Sequence, residues 1–208
     1  MGMTTKERIV QEALNLFSIK GFKGTSVKNI ADEVGIKDSS LYKHFGSKQE
    51  IFDTIVLEMK QRMSRLAERM KLPEEEDYVK SAQAYGALSL EDLLALSRNI
   101  FLFYLKDDFM SRFWRMANME QYQNSEVYEI FRQIFMEDSI MYQAELFGEM
   151  MNQGIFVKAD PVAAAMNFYT PIFFLLSKYN GREEGEEEAL KTLDNQVREF
   201  YRIYRYQQ

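Results

Sequence analysis

Thr25-Ser26-Val27-Lys28-Asn29-Ile30-Ala31-Asp32-Glu33-Val34-Gly35-Ile36, followed by Lys37-Asp38-Ser39-Ser40-Leu41-Tyr42-Lys43-His44-Phe45 and Gly46-Ser47-Lys48, is the stretch that decides the fold of this chain. Ala31, Gly35 and Leu41, four and six residues apart, put a small residue where two helices touch, a glycine in the sharp turn and an apolar anchor under the second helix. Ile30, Val34 and Ile36 complete a shared core. What remains exposed on the second helix is Lys37, Asp38, Ser39, Ser40, Lys43 and His44, a polar face able to donate hydrogen bonds to base edges and phosphates. Tyr42 and His44, with Lys48 at the start of the next helix, add a row of phosphate donors. The pattern predicts a helix-turn-helix that enters a DNA major groove.

The overall charge of -6 is at odds with a nucleic-acid binder only until it is divided along the chain. Residues 1–50 carry 8 Lys or Arg against 6 Asp or Glu, and residues 51–208 carry 18 against 26. A modest basic patch on an acidic protein suffices for docking and limits nonspecific residence on DNA. There are no cysteines, which removes disulfides, thiolate metal sites and a cysteine nucleophile, and fits a reducing cytoplasm. The first residues turn directly into a charged amphipathic segment, so secretion is not expected. His44 is the only histidine, which excludes Ser-His-Asp triads and multi-histidine metal centres elsewhere. No enzyme activity, cofactor or metal is expected.

Between its breakers the chain carries helical periodicity, and an all-α fold is predicted. A first helix over 5–20 has Ile9, Ala13, Leu14 and Phe17 on one face and ends at Gly21, with Phe22 placed for the apolar contact of a glycine cap. A long helix from Lys48 to about Met70 follows the helix-turn-helix, ended by Pro73 and the acidic run 74–77. Further helices are expected at 89–106, 109–121, 125–152, 160–180 and 186–206, with Asp160-Pro161 as a cap and first-turn proline. The predicted domains are a helix-turn-helix domain over 1–48 and a larger helical ligand-binding and dimerisation domain over 49–208.

That second domain is dense in aromatics and methionines, the lining expected of a pocket for a bulky apolar or aromatic ligand. Its candidate residues are Phe101, Tyr104, Phe113, Trp114, Phe131, Phe135, Tyr142, Asn167 and Phe168. Asn167, set between Ala163-Ala164-Ala165-Met166 and Phe168-Tyr169, is placed either to orient a ligand or to satisfy a neighbouring backbone group. The helix from Pro161 to Tyr179 is apolar nearly all round, yet Asn167, Thr170 and Pro171 interrupt it too often for a membrane span. With the last helix it would form a four-helix bundle across a twofold axis, the alternative being a monomer that buries both helices internally.

The first 48 or so residues resemble the N-terminal domain of the TetR family of bacterial transcriptional regulators, from Ala13-Leu14, Phe17 and Gly21-Phe22 through Thr25-Ser26, Ile30-Ala31, Val34-Gly35 and Leu41-Tyr42-Lys43-His44-Phe45 to Lys48. The resemblance implies a homodimer on double-stranded operator DNA, a variable ligand domain and repression relieved by a small-molecule effector. It implies that Thr25 and Ser26 cap the second helix and contact a phosphate, and that Tyr42, His44 and Lys48 also contact phosphates. Lys28, Lys37, Ser39, Ser40 and Lys43 stand where the family varies and are the candidates for reading bases. Position 37 is often a small capping residue in the family. Here it is lysine, which leaves Asp38 either to cap the helix or to accept from a cytosine amino group. The competing class is a helical small-molecule-binding protein or enzyme whose helix-turn-helix has become a protein contact.

Overall fold

A computed structural model of the chain describes residues 2–72, 77–120 and 125–206. Residues 73–76, expected to end the fourth helix, lie outside them. Among the described residues the chain is helical, with one isolated antiparallel bridge between Phe156 and Arg205. The helices are α1 (Thr5–Lys20), α2 (Val27–Val34), α3 (Asp38–Leu41), α4 (Lys48–Arg69), α5 (Tyr78–Gly86), α6 (Leu90–Lys106), α7 (Asp108–Glu120), α8 (Ser125–Arg132), α9 (Asp138–Asn152), α10 (Pro161–Tyr179) and α11 (Glu186–Tyr204). None is long and apolar enough to cross a membrane.

Local chemistry explains most of these boundaries. Thr4 and Glu7 form a reciprocal capping box at α1, and Gly21 ends the helix at φ 75°, with its N–H on the Phe17 carbonyl. Asp160 accepts from Ala163 N at 2.7 Å to cap α10, with Pro161 in the first turn as expected. Two features were not foreseen. The helix α5 has little apolar periodicity to announce it, and the single helix expected over 125–152 is interrupted by a wider turn at Gln133–Glu137, where Asp138 N bonds back five residues to Gln133 O.

By packing, the chain forms two compact units that do not follow the division expected at residue 48. The first comprises Met1–Arg65 with Lys106–Ile130, because α7 lies against α1 rather than against the later helices. Its core joins Ile9, Ala13, Leu14 and Phe17 of α1 to Ile30 and Ala31 of α2, Ile51, Phe52 and Ile55 of α4, and Phe113, Met116 and Ala117 of α7. Alongside, Arg62 of α4 pairs with Asp107 at 3.2 Å and stacks over the Phe109 ring.

The second unit comprises Leu66–Leu105 and Phe131–Gln208, with α10 packed on α9 and α11. Ala164 and Ala165 let α10 approach closely, beside Phe147, Met150, Phe156 and Phe200. Pro171 lies inside α10, so the carbonyl of Asn167 four residues earlier loses its helical donor; Gln196 of α11 replaces it with Nε2 at 2.9 Å.

Tyr169 on α10 donates to the carbonyl of Phe135 in the wide turn at 2.6 Å, and burial pushes its phenol up to about 12. Tyr169→Phe is therefore expected to lower stability by about 1 kcal/mol, the net loss of one buried hydrogen bond, read as a fall in the thermal midpoint. The folded chain holds this proton after the unfolded chain has lost it, so the contribution is intact below pH 10 and lost as pH rises towards 12.

Candidate nucleic-acid interface

The helix-turn-helix module is built from short, strongly capped helices. Ser26 Oγ accepts from Asn29 N at 3.1 Å while Asn29 Oδ1 accepts from Ser26 N at 2.9 Å, a closed box at the start of α2. Gly35 ends α2 in the left-handed conformation, φ 77° and ψ 35°, which few other residues adopt cheaply. Arg8 reaches from α1 to the Val34 carbonyl at 2.5 Å and takes up an orphan of that helix end. Leu41 and Phe45 are buried beneath α3. Ser47 Oγ accepts from Glu50 N at 3.1 Å, and the Glu50 carboxylate accepts from Gly46 N at 2.7 Å, so α4 has its own cap.

This scaffold leaves Lys28, Lys37, Asp38, Ser39, Tyr42, Lys43 and His44 exposed, with Ser40 half-buried. Tyr42 is 54% exposed although it is a large aromatic. Two aspects of the expected cap at α3 are corrected. Lys37, with extended backbone, holds the N-cap position and makes no side-chain cap bond, and Asp38 is already the first helical residue. The Asp38 carboxylate is thus a surface group beside the lysines, not a cap.

Thr25 and Lys48 turn inward. Thr25 is buried, its hydroxyl donating to the Gly21 carbonyl at 2.9 Å. The half-buried Lys48 ammonium donates to the carbonyls of Phe22 at 2.6 Å and Thr25 at 2.8 Å and sits 4.2 Å over the Phe22 ring. Two of its three N–H groups are therefore spent on the turn between α1 and α2. Desolvation by burial, partly offset by the Glu120 carboxylate, lowers its pKa from the usual lysine range. Ser26 is exposed, with its hydroxyl engaged in the α2 cap.

Glu120, which sequence reasoning passed over, is fully buried and accepts from Phe22 N through Oε1 at 2.6 Å. A signal existed. Phe109, Phe113, Met116 and Glu120 recur at helical spacing, so Glu120 is a carboxylate on a face otherwise made of core.

The nine residues proposed for a ligand pocket lie in several places. Phe113 and Trp114 belong to the first unit. In the second, Tyr104, Phe135 and Phe131 stack edge to face or tilted, and Phe101 is buried core. Tyr142 packs on Tyr78, and Phe168 on Phe147 and Phe200. The Asn167 side chain bonds another side chain rather than a neighbouring backbone group: Nδ2 donates to the Tyr204 hydroxyl at 2.7 Å, and Asn167 lines a groove of about 740 Å³ between α10 and α11. A second pocket, about 400 Å³, is lined by Met70, Leu72, Tyr85, Leu88 and Leu96 with Arg69, Asp92 and Asn99. It includes none of the nine.

Comparison with known proteins covers the module and the whole chain differently. Residues 9–55 match the family described as bacterial regulatory proteins, tetR family. A relative from Staphylococcus aureus strain Newman, the biofilm operon icaADBC HTH-type negative transcriptional regulator IcaR, is 47% identical over 51 residues, 24% of this chain and 27% of that protein. The match thus spans about a quarter of the curated relative. Over nearly full length the fold is that of a TetR family transcriptional regulator from Pseudomonas syringae pv. tomato, with TM-score 0.66 and 21% identity covering 97% of both chains. It is also that of SmeT in its complex with triclosan, with TM-score 0.65 and 17% identity covering 98% of this chain and 93% of that one.

Proposed function

From the match of residues 9–55 to the family described as bacterial regulatory proteins, tetR family, we propose a cytoplasmic, sequence-specific transcriptional regulator without enzymatic activity, acting as a homodimeric repressor that a small molecule relieves. The observation that carries this reading is the exposed run Lys37, Ser39, Tyr42, Lys43 and His44 on α3 and the residues flanking it, whose apolar side is sealed by Leu41 and Phe45. Lys28, Lys37, Ser39, Ser40 and Lys43 read base edges, and Tyr42 and His44 hold the phosphates. Two such faces in a twofold dimer read half-sites spaced about 34–36 Å apart, one helical turn of DNA. Hydroxyl-radical footprinting on duplexes selected from a random pool tests this, with two protected segments at that spacing expected and a single segment counting against it.

The dimer is supported by Val162, Met166 and Phe174 on α10 and Ile203 on α11, all about half exposed or more along the α10–α11 face. Isolated apolar side chains are ordinary on a surface, whereas a run of them along one helix pair is the mark of an interface. Phe174→Glu with Ile203→Glu is expected to give a monomer at micromolar concentration by sedimentation, with its helical content kept. A variant that remains a dimer would place the interface elsewhere.

For relief, the effector is a bulky apolar or aromatic molecule held by the second unit, as the fold shared with a triclosan-bound regulator suggests. The 400 Å³ pocket is the preferred place, since it combines apolar walls from Met70, Leu72, Leu88 and Leu96 with polar groups from Arg69, Lys71, Asp92 and Asn99. Arg69 in its wall is the last residue of α4, the helix that Lys48 begins, so one helix runs from the reading module to the effector pocket.

A further inference from the structure

Phe22 is held from three sides. Its N–H donates to Glu120 Oε1 at 2.6 Å, its carbonyl accepts from Lys48 Nζ at 2.6 Å, and its ring lies between Phe17 at 5.2 Å and Phe52 at 5.5 Å, with the Lys48 ammonium over its face. Phe22 sits in the turn that sets how α2 leaves α1, so whatever fixes Phe22 fixes the reading helices. A wholly buried carboxylate is an expensive way to hold one amide, and Glu120 Oε2 has no hydrogen-bond partner among the described residues. Core packing alone would be served better by leucine at this position. The charge is compensated through the turn, with carboxylate on one side of Phe22 and ammonium on the other.

We propose that Glu120 is a positioning residue for DNA reading, which from the end of α7 clamps Phe22 together with Lys48 and so sets the attitude of α2 and α3. This rests on the DNA-binding reading above. The clamp makes α7, rather than α4 alone, part of the body that carries the recognition helix. The Arg62 contacts with Asp107 and Phe109 at the other end of α7 hold the same two helices together.

The test compares Glu120→Ala, Glu120→Gln and, as a control for lost stability, Met116→Ala from the α7 core, on duplexes selected from a random pool by the wild-type protein. Glu120→Ala is expected to weaken every selected duplex alike by at least about tenfold, since a charge-assisted hydrogen bond is lost. Glu120→Gln, which keeps an acceptor for Phe22 N–H, recovers most of that. Met116→Ala binds as wild type well below its own unfolding temperature. In spectra of isotope-labelled phenylalanine amides, Phe22 should be downfield and slow to exchange in the wild type and lose both features in the alanine variant. Wild-type affinity in Glu120→Ala, or an equal loss in Met116→Ala, would overturn the proposal. If alanine prevents folding, Glu120→Asp decides: its carboxylate is one methylene too short for Phe22, so loss of affinity supports the clamp and wild-type affinity refutes it. If the wild type selects no duplex, the DNA reading has failed, and the Phe22 amide alone then judges the clamp.

Discussion

The double variant Lys37→Ala, Lys43→Ala is expected to lose about a thousandfold in operator affinity at 0.15 M salt, through the counterions that two lysines per protomer no longer displace. Both ammonium groups are exposed on the α3 side of the module. Each lysine placed against DNA releases condensed cations, whether it meets a phosphate oxygen or the edge of a guanine. With four lysines removed per dimer, the slope of log K against log salt should become shallower by about 3.6. The fold should not notice, since neither side chain fills the core and neither makes the α3 cap. Titrations of wild type and variant at three or more salt concentrations check this. A loss of affinity with an unchanged slope would mean that these lysines act through the fold and not through the DNA.

Lys48→Met is expected to give that opposite signature. Its ammonium is committed to the Phe22 and Thr25 carbonyls, so it contributes little to counterion release. Losing two charge-assisted bonds, with water recovering part of the deficit at a half-buried site, costs about 2 kcal/mol. If that energy is what holds the turn in its reading geometry, the competent fraction falls and affinity drops by up to about 30-fold per half-site. All sequences should be weakened equally, with the salt slope unchanged. A slope shallower by about two would show that Lys48 swings outward to a phosphate in the complex, as the family resemblance implied.

Much of this architecture is legible from the chain itself. The cap at Asp160 with Pro161 and the stops at Gly21 and Gly35 act over three or four residues, so sequence shows them directly. The exposed face of α3 is likewise a matter of local periodicity around Leu41. What was hidden depends on residues far apart in sequence. Lys48 and Thr25 carry polar side chains within the helix-turn-helix module, yet they face inward because the α1–α2 turn leaves carbonyls that need donors. Glu120 acts 98 residues away from Phe22, and only the packing of α7 on α1 brings the two together. The side-chain partner of Asn167 is Tyr204 on α11, which no local pattern announces. The aromatics of the second domain could not be sorted for a related reason: composition reports how many large side chains there are, and packing decides which of them enclose space.

The most direct test is the salt dependence of wild-type binding to its selected duplex. Lys28, Lys37 and Lys43 on two protomers should give a log–log slope near −5, with two half-sites protected. Affinity that is flat in salt, or that survives removal of Lys37 and Lys43 intact, would show that the exposed face of α3 does not meet DNA.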